Sequence, residues 1–108
     1  MPRTIIDAIK NDKLYELSFA LKKYDDEVID LDGATLKLKV QAPGSTVLKF
    51  EGIMSIVDAD AGTCKYLVAD GNFDEAGNYH AEIEVTYSTG QVITFSDIII
   101  KVKSDLPK

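Results

Sequence analysis

The strongest constraint on this chain is an alternation. In run after run, apolar side chains recur at every second position, the spacing that puts them on one face of an extended strand. Leu17, Phe19 and Leu21 alternate with Ser18, Ala20 and Lys22. Ala34, Leu36, Leu38 and Val40 alternate with Thr35, Lys37 and Lys39. Shorter runs place Leu48 and Phe50 around Lys49, and Met54 and Ile56 around Ser55. Cys64, Tyr66 and Val68 are interleaved with Lys65 and Leu67. In the longest run, Tyr79, Ala81, Ile83, Val85 and Tyr87 alternate with His80, Glu82, Glu84 and Thr86. A strand patterned this way offers one face to a core and the other to water.

The last run changes phase. Ile93 and Phe95 share one parity, while Ile98, Ile100 and Val102 share the other, with the change at Ser96-Asp97. A bulge or bend there lets both halves face the same core. Turn-forming clusters separate the runs: Asp32-Gly33, Pro43-Gly44-Ser45, Asp58 to Gly62, Asp70-Gly71-Asn72, Ala76-Gly77-Asn78 and Ser88-Thr89-Gly90. The Ser88-Thr89-Gly90 and Asp58 to Gly62 turns each join neighbouring runs and predict hairpins. Short strands with turns at this spacing predict an all-β fold, an immunoglobulin-like antiparallel β-sandwich of about 7–8 strands.

Two segments fall outside the pattern. Residues 1–13 read as an N-terminal arm or helical turn, with Ile5, Ile6 and Ile9 as candidate partner-contact residues. The sandwich is assigned to residues 14–103, and residues 104–108 read as a tail. A chain of 108 residues is sized for one domain. Its formal net charge of −6 counts against nucleic acid and against an anionic membrane surface as partners. A single cysteine rules out an internal disulfide. The N-terminus lacks the apolar run of a signal peptide, and no stretch approaches the roughly 20 apolar residues of a membrane span. The expectation is synthesis in a cytoplasm and no membrane partner.

The chemistry-bearing residues give little to an enzyme. His80 has the parity opposite Tyr79 and Ala81, so it is expected in solvent. There is no second histidine and no Gly-x-Ser-x-Gly nucleophile motif. Cys64 has core parity, where a free thiol acts as a small hydrophobe. The acidic clusters Asp25-Asp26-Glu27, Asp30 to Gly33 and Asp58 to Gly62 lack the ligand set of a calcium loop, and aspartate and glycine are what turns need. No catalytic residue, cofactor site or metal site is assigned. The outward lysines Lys37 and Lys39 and glutamates Glu82 and Glu84 are expected to pair if their strands are neighbours. The clearest local motif is Asp74-Glu75-Ala76-Gly77-Asn78-Tyr79. An acidic turn, then Gly77 and Tyr79 at a strand start, resembles the tyrosine corner of immunoglobulin-like sandwiches, in which the hydroxyl bonds upstream backbone. Ala81 stands where antibody domains carry their second disulfide cysteine.

In order and spacing, four stretches resemble the N-terminal immunoglobulin-like domain of phage baseplate upper proteins, from tailed phages of Gram-positive bacteria. They are LDGATLKLKV at 31–40, IVDADAGTCKY at 56–66, AGNYHAEI at 76–83, and GQVITF at 90–95 followed by IIIKV at 98–102. The chain departs from that pattern at Ser96 (usually Pro), Cys64 (usually Val) and Asp32 (usually Thr). The resemblance implies a virion structural protein of the tail-tip baseplate that supports the receptor-binding protein. Its implied partners are other tail proteins and further copies of itself. A rival reading is a carbohydrate- or ligand-binding module of a bacterial surface protein. The absence of tryptophan counts against it, since sugar platforms favour large aromatic faces.

Overall fold

The computed structural model describes residues 4–22 and 29–104. These form seven strands: β1 (Thr4–Ile9), β2 (Glu16–Ala20), β3 (Ala34–Gln41), β4 (Leu48–Asp58), β5 (Thr63–Leu67), β6 (Gly77–Tyr87) and β7 (Val92–Lys103). No helix occurs among the described residues. The strands are hydrogen-bonded in the order β1-β7-β6-β3-β4-β5-β2. β4 is the joint of this curled sheet. Its Leu48-to-Met54 half pairs with β3, and its Ser55-to-Asp58 half pairs with β5. Two layers result, β1-β7-β6-β3-β4 and β4-β5-β2, closed on one side by β4 and bounded by the edge strands β1 and β2. This is a β-sandwich of immunoglobulin-like design.

The alternation explains the layers. On β3, Leu36, Leu38 and Val40 are almost wholly buried while Thr35 is exposed and Lys37 and Lys39 lie outward. On β6, Tyr79, Ala81, Ile83 and Val85 face inward and His80 and Glu82 face water. The core includes Leu17, Phe19 and Leu21 from the smaller layer, with Phe73, Ile98 and Ile100. Each such side chain contributes about 1.5–3 kcal/mol relative to leaving it exposed. No polar or charged residue is buried among the described residues.

The phase change in β7 is a bulge. Ala81 pairs with Ile98 and Ile83 with Phe95, so Ser96 and Asp97 together oppose Glu82. Asp97 takes φ 66° there, and Phe95 and Ile98 are both buried. Both expected hairpins form. Tyr87 and Gln91 close one turn, with Gly90 at φ 94°. In the other, Asp58 Oδ1 accepts from the backbone N–H groups of Asp60 (3.1 Å) and Ala61 (3.2 Å).

Three local expectations differ from the structure. The segment read as an arm or helical turn is, at Thr4–Ile9, a strand running parallel to β7. Its pairing continues at Lys10, whose N–H donates to the Lys103 carbonyl (2.7 Å). The inward residues are Thr4, Ile6 and Ala8. Two of these are small, and that hid the alternation. The runs around Lys49 and Ser55 are one strand whose inward series is interrupted by Gly52. Leu48, expected inward, is exposed because the register slips between Val40 and Gln41 and sets Leu48 opposite Gln41. The acidic cluster at 25–27 and residues 105–108 of the expected tail lie outside the described residues.

Candidate interaction surfaces

At one end of the sandwich, aromatic rings hold the two layers together. Tyr79 is fully buried, and its hydroxyl donates to the Glu75 carbonyl (2.7 Å). The Glu75 N–H donates back to the Tyr79 hydroxyl oxygen (3.2 Å). Phe73 meets Tyr79 edge-on at 5.1 Å, and Phe50 meets Phe73 edge-on at 5.5 Å. Phe50 in turn stacks on Tyr66 at 5.8 Å. Tyr66 donates to Asn72 Oδ1 (2.9 Å), which also accepts from the Ala69 N–H (2.7 Å). Burial pushes the phenols of Tyr79 and Tyr66 above their ordinary pKa, so both remain neutral donors. Two glycines make room for this arrangement. A Cβ on Gly52 would overlap the Tyr66 ring. Gly77, at φ 143°, would place a Cβ 2.8–2.9 Å from the Pro43 ring carbons.

The outer face of the larger layer is an ionic lattice. β3 lies between β4 and β6, so Lys37 and Lys39 stand between Glu51 on one side and Glu82 and Glu84 on the other. Lys39 Nζ lies 2.9 Å from Glu84 Oε2, and Lys37 Nζ lies 3.8 Å from Glu51. That hydrogen bond raises the Lys39 pKa and lowers that of Glu84. Lys49 Nζ reaches Asp74 Oδ1 at 2.9 Å, which ties β4 to the β5–β6 loop and lowers the Asp74 pKa.

Beside the β7 bulge lies a shallow groove of about 260 Å³, with Gln41, Leu48, His80, Glu82, Ser96 and Asp97 among its lining residues. His80 is exposed in this groove, between Ile99 on β7 and Gln41 on β3. Cys64 is on β5, in the other layer, and fully buried. Burial pushes its thiol up to about 11, so it carries no reactive thiolate at neutral pH. No group of three or more His, Cys, Asp or Glu side chains suited to a metal ion occurs among the described residues. The aspartate turns instead cap themselves, as Asp30 Oδ1 does in accepting from the Asp32 N–H (2.9 Å).

The three isoleucines singled out near the N-terminus are split by the strand. Ile5 is 52% exposed and Ile9 37%, both on the outer face with Asp7 between them. Ile6 points the other way and packs against the core, so it is withdrawn from that surface. Sequence reasoning passed over Leu14 and Val47, exposed at 73% and 70%. Leu14 holds φ 62°, an unusual conformation for a bulky side chain, and no local signal announces it. Every described aromatic is buried or half-buried, so the exposed apolar surface is aliphatic. No helix among the described residues is long and apolar enough to cross a membrane.

Comparison with known proteins places this geometry. Residues 2–107 match the family model of the BppU N-terminal domain. The crystal structure of CopC from Methylosinus trichosporium OB3b resembles the chain in fold, with a TM-score of 0.53 at 13% identity. That match covers 99% of this chain and 91% of that one. Murine CRIg aligns at a TM-score of 0.40 and 12% identity, covering 94% and 92%. No curated protein matches the chain.

Proposed function

We propose that this chain, which belongs to the BppU N-terminal domain family of phage baseplate upper proteins, is an assembly module that helps attach the receptor-binding protein to the tail tip. Family membership carries a structural role in the phage baseplate and a place in the virion tail. The attachment step, synthesis in the host cytoplasm and self-association are the finer parts of the reading. The observation that carries it is the match over residues 2–107, nearly the whole chain. The surface agrees in kind. Two edge strands, a patterned ionic face and scattered exposed aliphatic side chains suit contacts with other proteins. The rival carbohydrate-binding reading gains nothing from a surface on which every described aromatic is at least half-buried.

Two experiments test the reading at its two levels. Gold-labelled antibody against this chain should decorate the tail tips of intact virions, and absence of the chain from purified virions would overturn the baseplate role. Co-expression with the receptor-binding protein and the other tail proteins of the same phage should yield a complex that co-elutes. If every pairing elutes separately, the attachment part fails and the structural role stands.

A further inference from the structure

We infer that the outer edge of β1 pairs antiparallel with β1 of a second copy, about a two-fold axis at Asp7, to make one sheet continuous through two molecules. The inference rests on the reading of the chain as an assembly module and names one partner for it.

Among the described strands β1 is hydrogen-bonded to β7 alone, so within the described residues its other edge is open, although the Ile9 carbonyl accepts from the Asp12 N–H (3.2 Å) in the turn that follows. Sheet edges that must stay single are blunted by charged side chains, above all lysine, by proline, by a bulge or by a very short strand. Over Thr4–Ile9 β1 has no lysine, proline or bulge, and its one charge, Asp7, has Lys103 Nζ 3.9 Å away. Its sequence is also self-complementary about Asp7. With Asp7 opposite its own copy, Ile5 of each molecule faces Ile9 of the other on the outer side. Ile6 faces Ala8 on the inner side, where a large residue meets a small one. Such symmetry of pattern is what an isologous two-fold contact requires. Opposed aspartates would repel. Each, however, has Lys101 as its neighbour on β7, and Lys103 Nζ lies 3.9 Å from its carboxylate. At the axis, lysines from both copies therefore flank the two carboxylates. A six-residue strand pair is smaller than the roughly 1,200 Å² of a standard stable interface, so the dimer should form with rising concentration.

Light scattering of the full chain up to about 1 mM should show the mass rising from 11.9 kDa towards twice that value. Ile5→Lys and Lys103→Glu, both at exposed outward positions, should remain monomeric at every concentration, with unchanged circular dichroism. A cysteine placed on the axis should form a disulfide with its own copy. Asp7→Cys should therefore cross-link on mild oxidation, while Thr4→Cys, opposite Lys10 in this register, should not. The buried Cys64 leaves the introduced thiol as the reactive one. Three results would each overturn the inference: a monomer throughout, a dimer insensitive to both charge changes, or Thr4→Cys cross-linking as readily as Asp7→Cys. Virion labelling answers separately, so a failed dimer leaves the baseplate role intact.

Discussion

At the scale of single residues, the most informative contacts are those in which one atom serves two elements. The Tyr79 hydroxyl both donates to and accepts from the backbone of Glu75, and so fixes the turn that feeds β6. Tyr79→Phe keeps the ring against Phe73 and removes only that oxygen. It should cost about 1–2 kcal/mol in a urea melt followed by circular dichroism, and an unchanged midpoint would show that the turn holds itself. Gly77→Ala is a harsher change, since it adds both a left-handed-region penalty and a clash with Pro43. It should cost about 2–4 kcal/mol in the same melt, and a loss no larger than that of Tyr79→Phe would mean that Pro43 yields. Cys64 offers a readout of the fold itself. Its buried thiol should be inert to a thiol reagent in native buffer and react at once in 6 M denaturant. Rapid labelling of the native protein would mean that β5 opens locally.

At the scale of elements, what was legible followed the size of the inward residues. β3 and β6 carry three or more large apolar residues in one parity, Leu36, Leu38 and Val40 on β3 and Tyr79, Ile83 and Val85 on β6, and could be read directly even with Ala81 among them. β1 carries Thr4 and Ala8 inward, and its parallel partner lies at the far end of the chain, so neither burial nor pairing left a local trace. In β4 the inward position between Phe50 and Met54 is Gly52, whose space the Tyr66 ring fills. One strand therefore read as two. The bulge in β7 was visible because side-chain parity is strict. The same strictness makes a prediction. Deleting Asp97 removes the extra residue opposite Glu82, so the paired strand can bury Phe95 or the series Ile98, Ile100 and Val102, but not both. Exposing even the smaller group, Phe95 alone, costs about 1.5–3 kcal/mol, and exposing the three-residue series costs several times that. The deletion variant should lose most of its stability or fail to fold, and near-native stability would show that the strand can slip its register at little cost.

At the scale of the molecule, the parity that placed Lys37, Lys39, Glu82 and Glu84 in water also predicted that they would meet if their strands were neighbours, and β3 and β6 are neighbours. The partnership of Lys49 with Asp74 was not legible, because it joins a strand to a loop through the fold of the whole chain. These two ion pairs set the direction in which stability should change with pH. Asp74 and Glu84 have folded pKa values below their ordinary ones, chiefly through hydrogen bonds from Lys49 and Lys39. The unfolded chain therefore takes up protons first as pH falls. Their contribution is present at neutral pH, begins to fade near the unfolded carboxylate pKa of about 4, and is gone below the folded values. Lys39 and Lys49 are raised, so their contribution is present below the ordinary lysine pKa of about 10.4 and is lost only as pH climbs through the folded values. Cys64, raised to about 11, weakens the fold on the same alkaline side. The urea midpoint should thus be flat across neutral pH and fall at both ends. Lys49→Met removes the partner of Asp74, so its midpoint should lie below that of the parent at pH 7 and converge on it near pH 2. A constant gap between the two across that range would show that Lys49 acts through its packing rather than its charge.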